Sequence, residues 1–399
     1  MNRRAALRGG AVLATLIVTF VAGIYVDQAF PDYVPYFGHR SVGNVDLSEL
    51  QQAIRLVQAD YVDAGKVDSS KLTHSTVQGL ITGLGDPFSA YFDPTQYKRL
   101  QQSYQGNYSG IGIYLSFTTG YPVITGTVPG SPAATGGLQA GDQIVKVGDK
   151  DMKGVTADQA TTLIQGADGT KVTLGISRAG QTFSVTITRA EIHVATVRST
   201  EIGNAVLYVR IYQFGTDTAT EFASALSSGL PGKTGVVLDL RGDPGGFISA
   251  ADAVISQFVA SGETFELRDR SGTVERHTVS GQHAAPTIPL VVLVDANSAS
   301  ASEIVAGSLQ VHHRAQLVGT VTFGKGSVQQ DFVLADGADI HLTVKRWYLP
   351  NGQTIDHKGL TPDVPVTLAS PTDVFDVTAP SQGYAKDAQL NAALALLPG

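Results

Sequence analysis

Three short segments carry residues whose types and spacing could do chemistry. Asn297-Ser-Ala-Ser-Ala-Ser-Glu303-Ile304 directly follows the apolar run Leu290 to Val294 and opens a helical stretch that reaches about Gln310. A serine at such a helix start sits where free backbone N–H groups and the positive helix end can stabilise a developing oxyanion. The same spacing, Ser300-x-x-Glu303, is also a capping box, which needs no chemistry, so this segment by itself leaves both readings open. Asp239-Leu-Arg-Gly-Asp-Pro-Gly-Gly246 is a second glycine turn between an apolar run and a helical one. Its glycines allow close backbone approach and its N–H groups could bind an anion, although a plain tight turn would use the same residues. The third, Gly319-Thr-Val-Thr-Phe-Gly-Lys-Gly326, resembles a phosphate-binding loop but has Gly326 where Ser or Thr should hold magnesium, and β-type sequence follows it. Nucleotide hydrolysis is disfavoured, and Lys325 is either a solvated turn residue or a buried amine whose desolvation makes it a base. His312-His313 and the isolated His341 could suggest a metal or a Ser-His pair. Adjacent helical residues point about 100° apart and no partner stands at i+4, so no metal site is expected.

The elements that must position these residues change character along the chain. Leu47, Leu50, Ile54 and Val57 recur at helical spacing within a helical region near 46 to 105, and a second helical stretch, about Leu72 to Leu84, is stopped by Gly85-Asp86-Pro87. From Tyr108 to Arg189 the pattern becomes short β-type runs with Gly, Pro and Asp turns, interrupted by one helix over Thr156 to Gln165. Beyond 190, apolar strands precede helices twice: Val236 to Leu240 before Phe247 to Ala260, and Leu290 to Val294 before Ser300 to Gln310. That alternation predicts an α/β core with buried strands. The segment from Pro371 is rich in Ser, Thr and Pro until a last amphipathic helix near Lys386 to Leu397.

Composition narrows the function classes. A chain of 399 residues exceeds one ordinary core, and 43% hydrophobic with 16% charged residues describes a folded protein. A net charge of -7 without a basic run argues against a nucleic-acid groove. The absence of cysteine excludes disulfides, thiolate catalysis and cysteine-held metals. Arg3, Arg4 and Arg8 precede an uncharged stretch from Gly9 to Val26, the pattern of a signal peptide or a membrane anchor. The stretch is just long enough to span, and Val21-Ala22-Gly23 is a poor cleavage site, which favours the anchor. Either way the chain is expected to be exported.

Taken together the segments resemble the carboxyl-terminal processing (tail-specific) peptidases. The resemblance rests on Ser298 to Ile304, Ala306-Gly-Ser-Leu-Gln310, Thr322-Phe-Gly-Lys-Gly-Ser-Val-Gln329, Asp239 to Gly246, Gly359-Leu-Thr-Pro-Asp-Val364 and Gly85-Asp-Pro-Phe-Ser-Ala-Tyr91, and it covers roughly residues 45 to 397. It implies an α/β fold: a crotonase-like catalytic core with an inserted PDZ domain and an N-terminal helical region. The expected boundaries are 1–37 for the signal or anchor, 38–106 helical, 107–190 PDZ, 191–370 catalytic core, and 371–399 tail and helix. It also implies a Ser-Lys peptidase without cofactor or metal, in which Ser300 is nucleophile, Lys325 general base and Gln329 its orienting partner. Gly246 and Ala301 would supply the oxyanion N–H groups, with Glu303 in support, and the neighbouring Ser298 and Ser302 should tolerate alanine. Asp243 and Asp295 stand where relatives usually have Asn, and Val311 where some carry a catalytic acid. Tyr108-Ser-Gly-Ile-Gly-Ile113, with Gly130-Ser-Pro-Ala133 and Gly141-Asp-Gln-Ile-Val145, is similar to a PDZ domain, whose carboxylate nest would lie at Gly110, Ile111, Gly112 and Ile113. The expected activity is a serine endopeptidase of the periplasm or cell envelope. Its partners would be proteins with free apolar C-termini, the membrane through the N-terminal segment, and a further copy or a regulatory adaptor, with no nucleic acid. A non-catalytic PDZ adaptor of the envelope and an acyl-CoA enzyme are the competing readings.

Overall fold

The computed structural model describes residues 47–117, 120–128, 130–281 and 283–398, so the Gly9 to Val26 segment lies outside the described residues. No described helix is long and apolar enough to cross a membrane. The chain divides after Leu72. Before that point stands helix α1 (Ser48–Asp60), none of whose residues is buried. Helix α2 (Ser69–Thr82) follows, then strand β1 (Ala90–Phe92) and helix α3 (Pro94–Tyr104). Asp93 starts α3 because its carboxylate accepts the N–H groups of Thr95 and Gln96, the Gln96 amide returns to the cap, and Pro94 fits the first helical turn.

Strand β2 (Asn107–Gly110) opens a β-rich insert. It contains β3 (Ile113–Ser116), β4 (Val123–Thr127), the short helix α4 (Pro132–Thr135), β5 (Gln143–Val147), β6 (Lys150–Asp151), helix α5 (Ala157–Ile164), β7 (Lys171–Arg178) and β8 (Gln181–Thr188). Strand β9 (Ala190–His193) then pairs antiparallel with β2 and closes the insert at its base. In β7, Val172, Leu174 and Ile176 face inward while Lys171 and Thr173 are exposed, the alternation of a half-buried sheet. Ile111, Ile124, Ile144, Met152 and Leu174 form its core.

The larger layer is a six-stranded sheet. It is built from β10 (Val197–Ile202), β11 (Val206–Ile211), β12 (Gly235–Asp239), β15 (Leu290–Val294), β16 (Gln316–Gly319) and β19 (Val364–Pro365), in that order, and only β10 runs antiparallel to its neighbour. Every residue of β12 and β15 is buried, as expected of parallel strands covered on both faces. On one face Val236, Leu238, Val292 and Val294 meet helices α6 (Thr218–Gly229), α7 (Ile248–Phe258) and α8 (Ala301–Val311). On the other, Val237, Val291 and Leu293 meet Leu390, Ala393 and Leu397 of the final helix α9 (Ala388–Leu396) and its end. Each such Val or Leu side chain stabilises the fold by roughly 1.5–3 kcal/mol on burial. A second sheet runs β1, β18 (Asp339–Tyr348), β13 (Glu263–Asp269) and β14 (Val274–Thr278), with β17 (Ser327–Val333) also paired to β18. The chemistry-bearing turns leave the C-terminal ends of the adjacent parallel strands β12, β15 and β16, where the sheet places them side by side.

Candidate active site

Two of these turns are stitched into one surface. Asp295, just after β15, accepts the N–H of Gly242 at 2.9 Å across the sheet and those of Asn297 and Ser298 in its own turn. Ser298 donates its hydroxyl to the Leu240 carbonyl at 2.8 Å, and the Ser302 hydroxyl donates to the Asp243 carbonyl at 3.1 Å. Both serines are fully buried, so the expectation that they tolerate alanine is corrected: each substitution strands a buried carbonyl contact that joins the turns. Between them Ser300 adopts φ 55° and ψ -114°, a backbone conformation that a residue with a Cβ reaches only when its surroundings hold it there.

The glycine turn lies against this serine. A Cβ on Gly245 (φ 95°) would stand 2.6 Å from the Ala299 carbonyl oxygen and 2.8 Å from both the Ala301 nitrogen and the Ser300 Cβ. The N–H groups of Gly246 and Ala301 have no acceptor among the described residues. Asp243 shapes the turn: its Oδ1 accepts the Gly245 N–H at 2.8 Å while its buried Oδ2 has no partner. Burial pushes this carboxyl up to about 8, so it is largely protonated at neutral pH.

Glu303, on the first turn of α8, fastens the lysine loop to the serine turn. Its fully buried carboxylate accepts the N–H of Ser300 at 2.9 Å, the Thr322 hydroxyl at 2.5 Å, and the N–H groups of Gly324 at 2.7 Å and Lys325 at 2.9 Å. The first of these is a capping-box bond. The other three belong to the site, so one carboxylate caps the helix and also positions the loop. From the other side the Trp347 indole donates to the Lys325 carbonyl at 2.8 Å. With its backbone held at both ends, Lys325 extends Nζ to 5.1 Å from the centre of the Phe88 ring. Burial lowers the amine below its ordinary value, against the pull of Asp86 and Glu303 toward the charged form. The loop continues into strand β17 and not into a helix, which removes the phosphate-loop reading.

Ser300, Lys325, Gln329, Gly245 and Gly246 line one cavity of about 500 Å³, whose apolar wall includes Ile304 and Trp347. Gln329 donates its amide to the hydroxyls of Ser327 at 2.9 Å and Thr343 at 3.0 Å. His312 instead pairs with the Glu263 carbonyl. His341 reaches the cavity, as does Asp331. Phe88 and Asp86 were within a motif legible in the sequence, yet no spacing signal ties them to Lys325. In the insert, Ile111, Gly112 and Ile113 line a small groove with Thr161 and Ile164 of α5, and Gly110 stands outside it in β2. At Gly112 (φ 79°) a Cβ would sit 2.3 Å from that of Ser131.

A glycine turn with free N–H groups, a serine held in an unusual backbone conformation and a desolvated amine in one cavity can carry acyl transfer. Residues 205–366 match Peptidase family S41, residues 101–177 match the PDZ domain, and residues 37–95 match the activating protease CtpB N-terminal domain. The chain is therefore a serine-type peptidase with a PDZ domain. It is 34% identical over 328 residues to the carboxy-terminal processing protease CtpB of Bacillus subtilis (strain 168), covering 80% of this chain and 68% of that protein. To CtpA of the same organism it is 35% identical over 331 residues, covering 82% and 70%. These relationships place the chain in the carboxy-terminal processing protease family of S41 peptidases. A photosystem II D1 C-terminal processing protease shares its fold with a TM-score of 0.50 at 28% identity, covering 80% of this chain and 87% of that one.

Proposed function

We propose that the chain is an endopeptidase that cuts exported proteins chosen by their free apolar C-termini, with Ser300 as nucleophile and Lys325 as general base. The observation that carries this reading is the meeting, in one cavity, of the strained Ser300 turn, the desolvated Lys325 amine and the glycine turn at Gly245 and Gly246, with the N–H groups of Gly246 and of Ala301, next to Ser300, unengaged. Neutral Lys325 Nζ takes the Ser300 proton as Oγ attacks the scissile carbonyl carbon. The tetrahedral oxyanion then accepts from the Gly246 and Ala301 N–H groups, which are free to donate. The lysine hands its proton to the leaving amine, the peptide bond breaks, and water hydrolyses the seryl ester by the reverse sequence. Glu303 holds serine and lysine loops in register, and Gln329 lines the wall beside them. The parallel sheet with helices on both faces is compatible with the crotonase-like core that the family resemblance implies. The basic N-terminus before Gly9 supports an extracytoplasmic location, held by an anchor. The groove at Ile111 to Ile113 supports tail selection by strand addition.

A fluorophosphonate should label the wild-type protein at Ser300 and leave Ser300→Ala unlabelled, inactive and folded. Cleavage of an unfolded substrate with a free apolar tail should exceed that of its C-terminally amidated form. Labelling elsewhere would overturn the nucleophile, and absence of any labelling or cleavage would favour the adaptor reading.

A further inference from the structure

Strand pairing creates a second cluster beside the catalytic cavity that the peptidase mechanism does not use. Asp331 on β17 is the direct cross-strand neighbour of His341 on β18, and Asp339 stands two residues before His341 on the same face. One ligand atom from each of the three lies within 4.8 Å of the others. His341 Nδ1 is 2.6 Å from Asp331 Oδ1, and the Tyr97 hydroxyl donates to Asp331 Oδ2 at 3.3 Å.

Asp339 is the independent observation that points to a ligand. It is 0% exposed, and neither carboxylate oxygen has a hydrogen-bond partner. The Phe332 N–H lies near enough to favour the anion slightly but does not make a proper hydrogen bond. No Lys or Arg forms an ion pair with Asp331 or Asp339 among the described residues. Buried carboxylates are ordinarily paired, hydrogen-bonded or bound to a cation, and leaving one without any of these is costly.

We propose that Asp331, Asp339 and His341 form a binding site for a divalent transition-metal ion such as Zn²⁺. Two carboxylate oxygens and one imidazole nitrogen suit a borderline ion, whereas Mg²⁺ prefers an all-oxygen shell. On binding, the ion takes the place of the hydrogen between His341 Nδ1 and Asp331 Oδ1. The imidazole binds as the neutral ring, protonated at Nε2, and any proton held by Asp339 is released to solvent. The ion cross-links β17 to β18 on the wall that Asp331 and His341 contribute to the cavity.

Calorimetric titration of the metal-free protein with zinc chloride at pH 7.5 tests this without reference to peptidase activity. One saturable site is expected, with affinity lowered at least tenfold in Asp339→Asn and in His341→Gln, and with Mg²⁺ failing to compete. Asn is isosteric with the buried acid, and circular dichroism checks that each variant remains folded. Absence of saturable zinc binding by the wild-type protein would overturn the site. Equal affinity in the folded variants would do the same, since the bound zinc would then belong to other histidines.

Discussion

A lysine acts as a base only if it reaches the reacting hydroxyl without its proton. Burial of Lys325 acts in that direction by lowering its pKa, while Asp86 and Glu303 oppose the fall. Activity is therefore expected to rise with pH through the depressed pKa of this amine. A histidine base would give a limb near 6.5. Arginine keeps its proton throughout, so Lys325→Arg should fold normally yet lose about a thousandfold in kcat/KM. Near-normal turnover by a folded Lys325→Arg protein would remove the lysine from the mechanism. Asp243 offers a second titration, read through stability. Its folded-state pKa of about 8 lies above that of the unfolded chain, so its contribution is complete below about pH 4 and is lost as pH rises toward 8. The slope is about 1.4 kcal/mol per pH unit. Asp243→Asn should flatten the dependence of unfolding free energy on pH across that window. Parallel curves for the two proteins would show that the buried acid is not titrating there.

At the scale of elements, the site exists because β12 and β15 are parallel neighbours whose C-terminal turns touch. Gly245 is the point of contact, with the serine turn closer than any side chain allows. Gly245→Ala should push the two turns apart, displacing the Gly246 and Ala301 N–H groups from a common target. A loss of about 100-fold or more in kcat is expected, the scale of removing one oxyanion donor. KM should change less, since the substrate-binding walls remain. Unchanged kcat in a folded Gly245→Ala variant would mean that this turn does not support the transition state. The helix start works the same way: Glu303 ends up as a cap and a loop anchor at once, because α8 begins where the Lys325 loop returns from β16. The capping-box reading and the catalytic reading, alternatives when the residues stand alone, are both accommodated by one carboxylate.

Across the whole molecule, the last thirty residues hold the sheet closed. Arg241, buried beneath the glycine turn, donates to Asp239, Asp387 and Gln389, which ties β12 to the start of α9. Asp387 also accepts the N–H groups of Phe375 and Leu390, so the cap of α9 and the chain before it share this carboxylate. Arg241→Ala leaves two buried carboxylates without their cation. The expected cost is about 3–5 kcal/mol, measurable by urea unfolding at neutral pH. A change under about 1 kcal/mol would show that the cluster is not closing the fold.

The sequence by itself determined the local pieces: the apolar runs that become β12 and β15, the helix starts that follow them, the β-rich insert, and motifs whose family resemblance singles out Ser300 and Lys325 as candidates. These signals are short-range, because periodicity, turn residues and caps are decided within a few positions. Only the tertiary structure decided what crosses the sheet. Phe88 reaches Lys325 from more than two hundred residues away, Ser298 and Ser302 turn inward as ties between turns, and Asp331 meets His341 only through the pairing of β17 with β18. The Ser, Thr and Pro content after Pro371 suggested a tail, yet Phe375 and Val377 are buried against the sheet. Such contacts depend on register and burial between distant segments, and no spacing along the chain encodes them in a form that can be read without the fold.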